Sequence, residues 1–492
     1  MTETAKKKRG MPSSFTILLA LLAIVAVITV IVSGTSGGEV TAARLSDFCT
    51  APILGFADAL PVCLFVMILG GFLGMMTETG ALDNGIAVLV QKLKGNEIML
   101  IPVLMLIFSL GGTTYGMCEE TVPFYALLAA TMMAAGFDPM VGAATVLLGA
   151  GCGCLGSTVN PFAVGAAVDA LTGVDIAVNQ SIIIGLGAVL WIVTTAMSIV
   201  FVMNYAKKVK ADKGSTILSM QELKDAEEAH GKAASEVHKE VKLTGRQKGV
   251  LIAFAFTFVV MIVGFIPLAD LNEGVANFFD AGAVYDADGN TVVQGWSALI
   301  TGLPIGQWYF DEASTWFFLM AVLIGIIGGL SEKQIVNTFI TGAADMMSVV
   351  LVIALARGIS VLMANTGLDV YVLDAAANAL AGLSGVIFAP MSFLVYFGLS
   401  FLIPSTSGMA TVSMPIMGPL AVKLGFSPEV MVMIFSSAIG VVNLFTPTSG
   451  AIMGGLALAK IEWTTWLKFA LKLIVALSVV CAIILTVACV ML

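Results

Sequence analysis

The 492-residue sequence predicts an all-α polytopic membrane protein with inverted repeats, each carrying a re-entrant hairpin and a broken helix. Hydrophobic residues make up 59% of the chain and charged residues 11%, whereas soluble domains carry about 25% charged residues. Apolar segments near the length of roughly 20 residues that a helix needs to cross a bilayer recur along the chain. Short motifs of the first half also return, in the same order, in the second half.

The apolar segments fall into full spans, broken spans and hairpins. In 97–135 and 384–424 a polar knot of Gly, Ser and Thr leaves each arm too short to cross, so these regions are predicted to be hairpins. Segments 139–171 and 428–459 are overlong and have polar, Gly-rich centres, which predicts broken helices. Counting these two, the sequence predicts nine full spans: 13–33, 57–77, 139–171, 180–205, 247–268, 313–330, 345–364, 428–459 and 463–491.

A hydrophilic linker divides the chain. Residues 206–246, rich in Lys, Glu and Ala, are predicted to be a partly helical cytoplasmic linker after a first half at 13–205. An extra span and an outer loop follow at 247–312, and the second repeat occupies 313–492. His230 and His238 lie in the linker and are predicted to be solvated helix residues.

The distribution of basic residues predicts the orientation. With residues 1–12 inside the cell, 20 of the 23 Lys and Arg residues fall on the cytoplasmic side, as the positive-inside rule requires. The exceptions are Arg44, Arg357 and Lys423. The expected location is therefore the inner membrane of a prokaryote, with several passes through the lipid bilayer and a cytoplasmic N-terminus.

The internal repeat is visible as five matches in order, at offsets of 287 to 292, which indicates a duplication. Five spans begin before the second copy, and this odd number predicts that the copy is inverted. Inverted repeats with matched hairpins and broken helices are typical of secondary transporters. The matches are Gly55–Asp58 with Gly342–Asp345, Gly71 and Thr79–Asp83 with Gly358 and Thr366–Asp369, Thr113–Met117 with Ser405–Met409, Gly136–Pro139 with Gly425–Pro428, and Ser157–Pro161 with Thr446–Gly450.

The interrupted segments supply candidate binding groups. Broken helices leave backbone groups free near the bilayer centre, where half-helix N-termini suit carboxylates and free carbonyls with hydroxyls suit Na⁺. The alternative is that Gly, Ser and Thr merely allow helices to pack closely. The polar candidates are Thr113, Thr114, Tyr115, Ser157, Thr158, Asn160, Ser405, Thr406, Ser407, Asn443, Thr446, Thr448 and Ser449, with possible Na⁺ positions near Thr114, Ser157, Thr406 and Thr448.

Charged residues at membrane depth are the sharpest candidates because they are costly to insert. Glu119 and Glu120 follow the first knot, and the matched positions hold Thr411 and Val412, so this acidic pair breaks the symmetry. The pair predicts a site for an ammonium, a guanidinium, Na⁺ or a shared proton, with one carboxylate facing the site and the other packing or capping. The alternative is local capping or pairing alone. Second-rank candidates are Asp169, which could lie near the outer end of its helix, and Arg357, which could snorkel or pair with a carboxylate.

Three segments carry a resemblance to a known family: Gly112–Tyr125, Gly156–Phe162 and Pro404–Thr411. They resemble the anaerobic C4-dicarboxylate carriers of the ion transporter superfamily, and most specifically the YfcC-like branch assigned to basic amino acid antiport, near the arginine/ornithine antiporters. The resemblance implies a homodimer with a scaffold domain and a transport domain that moves by an elevator mechanism. Sodium-coupled dicarboxylate members carry Ser-Asn-Thr at each hairpin tip, and this sequence lacks that motif.

The sequence is compatible with two transport functions and disfavours two other classes. The first is an antiporter or exchanger of basic amino acids, which Glu119 and Glu120 favour. The second is a Na⁺- or H⁺-coupled carrier of dicarboxylates or other carboxylated solutes. An intramembrane hydrolase lacks a histidine in the membrane, and a passive channel needs no paired hairpins. We expect a small-molecule substrate, no enzymatic activity, no cofactor or bound metal beyond the possible coupling ion, and no nucleic acid.

Overall fold

The computed structural model describes residues 14–82, 84–85, 88, 96–236, 242–266, 268–271, 273–286 and 291–492. These residues are mostly helical, with one short antiparallel ribbon of Val284–Tyr285 and Thr291–Val293. The predicted all-α polytopic class is confirmed. Residues 1–12 and His238 lie outside the described ranges.

The helices follow the order of the repeat. The first half contains Ser14–Ser33, Leu45–Asp58, Leu60–Glu78, Leu100–Tyr115, Val122–Ala134, Pro139–Leu155, Ala166–Thr172 and Gln180–Ala211, with 3₁₀ turns at Glu97–Met99 and Glu119–Thr121 and a π-helical turn at Pro161–Gly165. The connecting region contains the 3₁₀ turn Lys213–Ser215 and the helices Met220–Glu236, Gly245–Phe265, Leu268–Leu271 and Glu273–Phe279. The second half contains Phe310–Gly328, Glu332–Asp345, Met347–Thr366, Leu368–Leu380, Gly385–Leu402, Thr406–Lys423, Pro428–Val442, Gly450–Leu458 and Trp463–Met491.

Eight helices of the described chain are long and apolar enough to cross a membrane. Seven of them correspond to predicted full spans, and the other predicted spans, 139–171 and 428–459, are interrupted. The eighth is Glu97–Tyr115, the first arm of the predicted hairpin 97–135. The expectation that this arm is too short is wrong, because the 3₁₀ turn at Glu97–Met99 extends it to 19 residues.

Four segments occupy matched positions in the repeat. Hairpin 1 is 97–134 and broken helix 1 is 139–172; hairpin 2 is 385–423 and broken helix 2 is 428–458. Each broken helix starts with a proline after a capping residue: the Asp138 side chain accepts from the Val141 N–H, and the Ser427 side chain accepts from the Val430 N–H. Proline suits this first turn because its missing N–H would have no partner there.

Two predicted spans are each preceded by a separate helix that the sequence did not predict. The predicted spans 57–77 and 345–364 appear as Leu60–Glu78 and Met347–Thr366, which follow Leu45–Asp58 and Glu332–Asp345 after a one-residue break. The earlier helices carry polar and acidic residues, so a search for uniformly apolar segments does not find them.

These paired helices exchange partners between the halves. A β-carbon built at Gly55 would lie 2.3 Å from the Gly358 nitrogen, and one built at Gly342 would lie 2.4 Å from the Gly70 oxygen. Leu45–Asp58 therefore packs on Met347–Thr366, and Glu332–Asp345 packs on Leu60–Glu78. Gly55 and Gly342 match in the repeat, so the two contacts are repeat-related.

The broken helices repeat this exchange. A β-carbon at Gly151 would lie 2.3 Å from the Leu444 side chain, and one at Gly440 would lie 2.5 Å from the Leu155 α-carbon. Gly151 matches Gly440, and Leu155 matches Leu444, both at the repeat offset of 289. Exchanged contacts of this kind are what a two-fold relation between the halves requires.

The linker helix Met220–Glu236 is docked on the membrane helices. It packs on the second arm of hairpin 1, and the Glu222 carboxylate accepts a hydrogen bond of 2.9 Å from the Glu462 N–H. His230 Nε2 lies 3.0 Å from the Leu458 carbonyl oxygen. The prediction that His230 is solvated is wrong, because this docking leaves it only 8% exposed. Burial lowers the pKa of His230, and the charge of Lys460 lowers it further, against the hydrogen bond with Leu458.

Candidate functional site

The tip of hairpin 1 is a tight turn held against broken helix 1. Gly116 ends the first arm in the left-handed conformation, with φ of 80°. A β-carbon there would lie 2.5 Å from the Asn160 side-chain oxygen. Only glycine meets both constraints, because other residues are strained at positive φ and carry a β-carbon.

The two glutamates of the tip have different environments. Both lie on the 3₁₀ turn Glu119–Thr121, and the Glu120 carboxylate accepts a hydrogen bond of 2.9 Å from the Cys118 N–H. Glu120 is 1% exposed, whereas Glu119 is partly exposed. Glu120 is therefore the carboxylate that caps the turn, and Glu119 is the more open of the two.

Several predicted site residues form hydrogen bonds at the break in broken helix 1, some of them with the tip of hairpin 1. The Thr113 hydroxyl donates to the Gly156 carbonyl at 2.6 Å, and the Thr158 N–H donates to the Thr113 carbonyl at 2.9 Å. Ser157 donates to the Cys154 carbonyl at 2.6 Å and accepts from the Asn160 side-chain amide at 2.9 Å. Backbone groups freed by the helix break thus find protein partners.

The second half satisfies its break differently. Indole N–H groups of Trp463 and Trp466 donate to the Phe445 and Leu444 carbonyls at 2.7 and 2.9 Å. The Thr446 and Thr448 hydroxyls are 2.7 Å apart and hydrogen-bonded to each other. At the tip of hairpin 2, the Ser405 hydroxyl accepts from the Gly408 N–H at 3.1 Å, and Ser449 likewise caps Gly450–Leu458.

A cavity of about 440 Å³ lies where both hairpin tips meet both helix breaks. Nine predicted site residues line it: Glu119, Glu120, Asn160, Ser405, Thr406, Ser407, Asn443, Thr448 and Ser449. The other six, Thr113, Thr114, Tyr115, Ser157, Thr158 and Thr446, are not among the residues that line it. The Tyr115 ring stacks on Phe265 with ring centres 5.4 Å apart.

The second-rank candidates Asp169 and Arg357 also line the cavity, together with Asp58, which was not predicted to be a site residue. Asp58 forms an ion pair with Arg357 across 299 positions of the chain. The available signal for Asp58 was its place as an acidic residue in the first repeat motif. The aromatic residues Phe162 and Tyr309 were missed as well.

The charges of the cavity are unbalanced. Among the described residues, four carboxyl groups line it, those of Asp58, Glu119, Glu120 and Asp169, against one guanidinium, that of Arg357. A lining with both signs and an excess of carboxylates suits a solute that carries one carboxylate and a larger positive charge.

The predicted Na⁺ positions remain predictions. Three of the four hydroxyls involved are engaged with protein oxygens: Thr114 donates to the Leu110 carbonyl, Ser157 to the Cys154 carbonyl, and Thr448 bonds to Thr446. Among the described residues, no group of three or more His, Cys, Asp or Glu side chains is arranged to hold a metal ion.

Comparisons with known proteins find a family of carriers and similar bacterial proteins. The family model of the C4-dicarboxylate anaerobic carriers, DcuC, matches residues 39–490. An uncharacterized protein of Haemophilus influenzae is 28% identical over 445 residues, covering 90% of this chain and 78% of its own. A protein of Escherichia coli named "Putative basic amino acid antiporter YfcC" is 27% identical over 440 residues, covering 87% and 77%.

Two solved transport proteins align with the chain at lower similarity. The Neisseria gonorrhoeae efflux pump MtrF is 17% identical with a TM-score of 0.44, and covers 98% of this chain and 96% of its own. The Alcanivorax borkumensis transporter YdaH is 15% identical with a TM-score of 0.46, and covers 97% and 98%.

Proposed function

Because this multi-pass membrane chain belongs to the C4-dicarboxylate anaerobic carrier family, we propose that it is a secondary transporter that exchanges basic amino acids of the arginine and ornithine type. The observation that carries the proposal is the cavity at the hairpin tips, with four carboxyl groups and one guanidinium. The name of the similar Escherichia coli protein agrees with this substrate class.

The excess of carboxyl groups supports a cationic substrate over a dicarboxylate. Four carboxyl groups share the described lining of the cavity with one guanidinium. A dicarboxylate would add two negative charges to this lining, and burying like charges together is costly. Arginine or ornithine instead brings two positive groups and one carboxylate, which matches both signs of the lining.

Glu119 is assigned the contact with the substrate cation. It is the more open of the two tip glutamates, and its position beside the cavity lets it form charge-assisted hydrogen bonds with an ammonium or guanidinium. Glu120 holds the turn through Cys118 and so positions Glu119. A cation at Glu119 also offsets the cost of holding a carboxylate at membrane depth.

The proposed movement is an elevator in which both hairpins and both broken helices travel together. Hydrogen bonds between Thr113, Gly156 and Thr158 join hairpin 1 to broken helix 1, which supports their motion as one body. The scaffold would be made largely from the other spans. A homodimer in a prokaryotic inner membrane with a cytoplasmic N-terminus belongs to the same proposal.

A second function rests on Arg357. A guanidinium in the cavity also fits a carboxylated solute, and the family takes its name from C4-dicarboxylates. In that case a glutamate would bind the coupling Na⁺ or H⁺, and a dicarboxylate would be the cargo. The response of the two glutamates to substitution distinguishes the two functions.

The test compares Glu119→Gln and Glu120→Gln in proteoliposomes. We expect Glu119→Gln to weaken arginine uptake by roughly 10- to 100-fold, because a charge-assisted contact is lost. Glu120→Gln should be milder, since its amide oxygen can still accept from the Cys118 N–H. The matched control is Glu332→Gln, at an exposed helix start. Normal arginine or ornithine uptake by both cavity variants, with measurable dicarboxylate uptake, would favour the second function.

A further inference from the structure

The ion pair of Arg357 and Asp58 sits on the wall of the cavity. Arg357 lies in the middle of Met347–Thr366, and Asp58 is the last residue of Leu45–Asp58. The Arg357 Nε donates to an Asp58 carboxylate oxygen. The pair is open to the cavity, with side chains 29% and 46% exposed. The pair is therefore accessible to a solute in the cavity.

The free edge of the guanidinium points to the tip of hairpin 2. The Arg357 Nη1 nitrogen lies 3.9 Å from the position that a β-carbon would take at Gly408. The neighbouring Ser405, Thr406 and Ser407 line the cavity. A guanidinium has five N–H donors in a fixed fork, and Asp58 is bonded through Nε. The terminal nitrogens are therefore placed to receive a second carboxylate at this tip.

We propose that Arg357 binds the carboxylate of the transported solute and that Asp58 is its counter-ion when the solute is absent. The amino acid form of this inference rests on the proposed function. In the state described, Arg357 of the scaffold helix Met347–Thr366 then makes the contact at one end of the solute, and Glu119 of the moving hairpin 1 makes the contact at the other. The elevator movement would break the Arg357 contact and keep the Glu119 contact.

Asp58 has a separate positioning role. Arg357 and Glu119 line the same cavity. If Asp58 did not hold it, the guanidinium could pair with Glu119 and neutralise the group assigned to the substrate cation. The Asp58 pair therefore keeps the positive and negative ends of the site apart.

The repeat offers no second copy of this pair. The position matching Arg357 at the offset of 287 is Gly70, and the position matching Asp58 is Asp345, which is exposed. Arg357 thus occurs in the second half without a counterpart in the first. In the same way, Glu119 and Glu120 occur in the first half without counterparts in the second. Asp345 also provides a matched control for Asp58.

The experiment measures equilibrium binding of arginine and of agmatine, which is arginine without its carboxylate, to the purified full-length protein. We expect Arg357→Gln to weaken arginine binding by roughly 10- to 100-fold while agmatine binding changes by less than about 3-fold. Arg357→Lys should fall between, because it keeps the charge but loses the fork. Asp58→Asn should change the ratio of the two affinities, and Asp345→Asn should leave it at the wild-type value.

The outcomes separate this inference from the proposed function. An equal loss of arginine and agmatine binding in a monodisperse Arg357→Gln protein would overturn the inference, because a merely structural role weakens both. If the wild type binds succinate and neither arginine nor agmatine, the amino acid function fails. In that case, weaker succinate binding by Arg357→Gln and Arg357→Lys would still support Arg357 as the carboxylate-binding residue. Unchanged succinate binding would overturn that role.

Discussion

The Cys63 sulfur lies 3.9 Å from the Val350 carbonyl oxygen, and these two residues are 287 positions apart, which is the offset of the repeat itself. Residues that match in the repeat can face each other only where the two-fold relation brings the halves together. The pseudo-axis therefore passes between Leu60–Glu78 and Met347–Thr366. Val62 and Ile353 of the same helices line the cavity, so the candidate site lies beside this axis.

The close helix crossing beside this axis predicts a stability effect at Gly55. A β-carbon there would lie 2.3 Å from both the Ala354 oxygen and the Gly358 nitrogen, which are backbone atoms and cannot rotate away. Gly55→Ala should lower stability by roughly 1–3 kcal/mol through overpacking. The measurement is the thermal midpoint in detergent.

Gly185→Ala is the control for this substitution, because it lies in a long helix with nothing within 4 Å of the new β-carbon. It should be neutral or slightly stabilising, since alanine is the better helix former. Equal midpoints for the two variants would contradict the exchanged helix packing.

The inverted repeat predicts opposite locations for two exposed segments. In a background lacking the seven native cysteines, Lys224→Cys in the linker helix should react with an impermeant thiol reagent only from the cytoplasm. Val292→Cys in the ribbon should react only from outside, and both side chains are exposed enough to react. Reaction of both from the same side would refute the predicted orientation.

Docking of the linker helix should depend on pH through His230. Burial lowers the pKa of His230 in the folded protein, so the undocked helix takes up a proton more readily than the docked one. Neutral His230 contributes fully to the free energy of docking above the ordinary histidine pKa of about 6.5. This contribution is lost as the pH falls from about 6.5 through the lowered pKa of the docked state. Limited proteolysis of the linker should therefore accelerate between neutral and mildly acidic pH.

His230→Gln is the control for the pH effect, because it keeps a side-chain donor for the Leu458 carbonyl without titrating. Its linker should be cut at a rate that varies less with pH than in the wild type. An identical acid-induced increase in both proteins would assign the effect to other groups.

An elevator requires broken helix 2 to leave its contact on the scaffold. A β-carbon at Gly450 would lie 3.4 Å from the Ile353 β-carbon, close to the spacing of roughly 3.5–4.5 Å in disulfides. In the background without native cysteines, oxidised Gly450→Cys/Ile353→Cys protein should lose exchange and regain it on reduction.

The control disulfide joins two parts of the same moving body. A β-carbon at Gly149 of broken helix 1 would lie 3.1 Å from the Phe108 β-carbon of hairpin 1. Oxidation of Phe108→Cys/Gly149→Cys should leave exchange at its reduced rate. Full exchange by the oxidised Gly450→Cys/Ile353→Cys protein would rule out the elevator.

The sequence predicted the features that depend on local pattern. Apolar length and interruptions gave the spans and breaks, and the asymmetry at Glu119 and Glu120 pointed to residues that line the cavity. The sequence did not predict which distant residues form pairs. Asp58 and Arg357 are 299 residues apart, and the residues around each of them do not indicate that the two form an ion pair. The same holds for His230, whose polar surroundings in the sequence indicate a solvated residue although the helix is docked.

The most direct test of the account is counterflow by the wild-type protein in proteoliposomes. Vesicles preloaded with ornithine are given labelled arginine outside, and parallel vesicles preloaded with succinate are given labelled succinate. The cavity charges predict rapid accumulation of arginine against ornithine and none of succinate. Accumulation of succinate, with arginine remaining at the level of protein-free vesicles, would contradict the assignment of this site to basic amino acids.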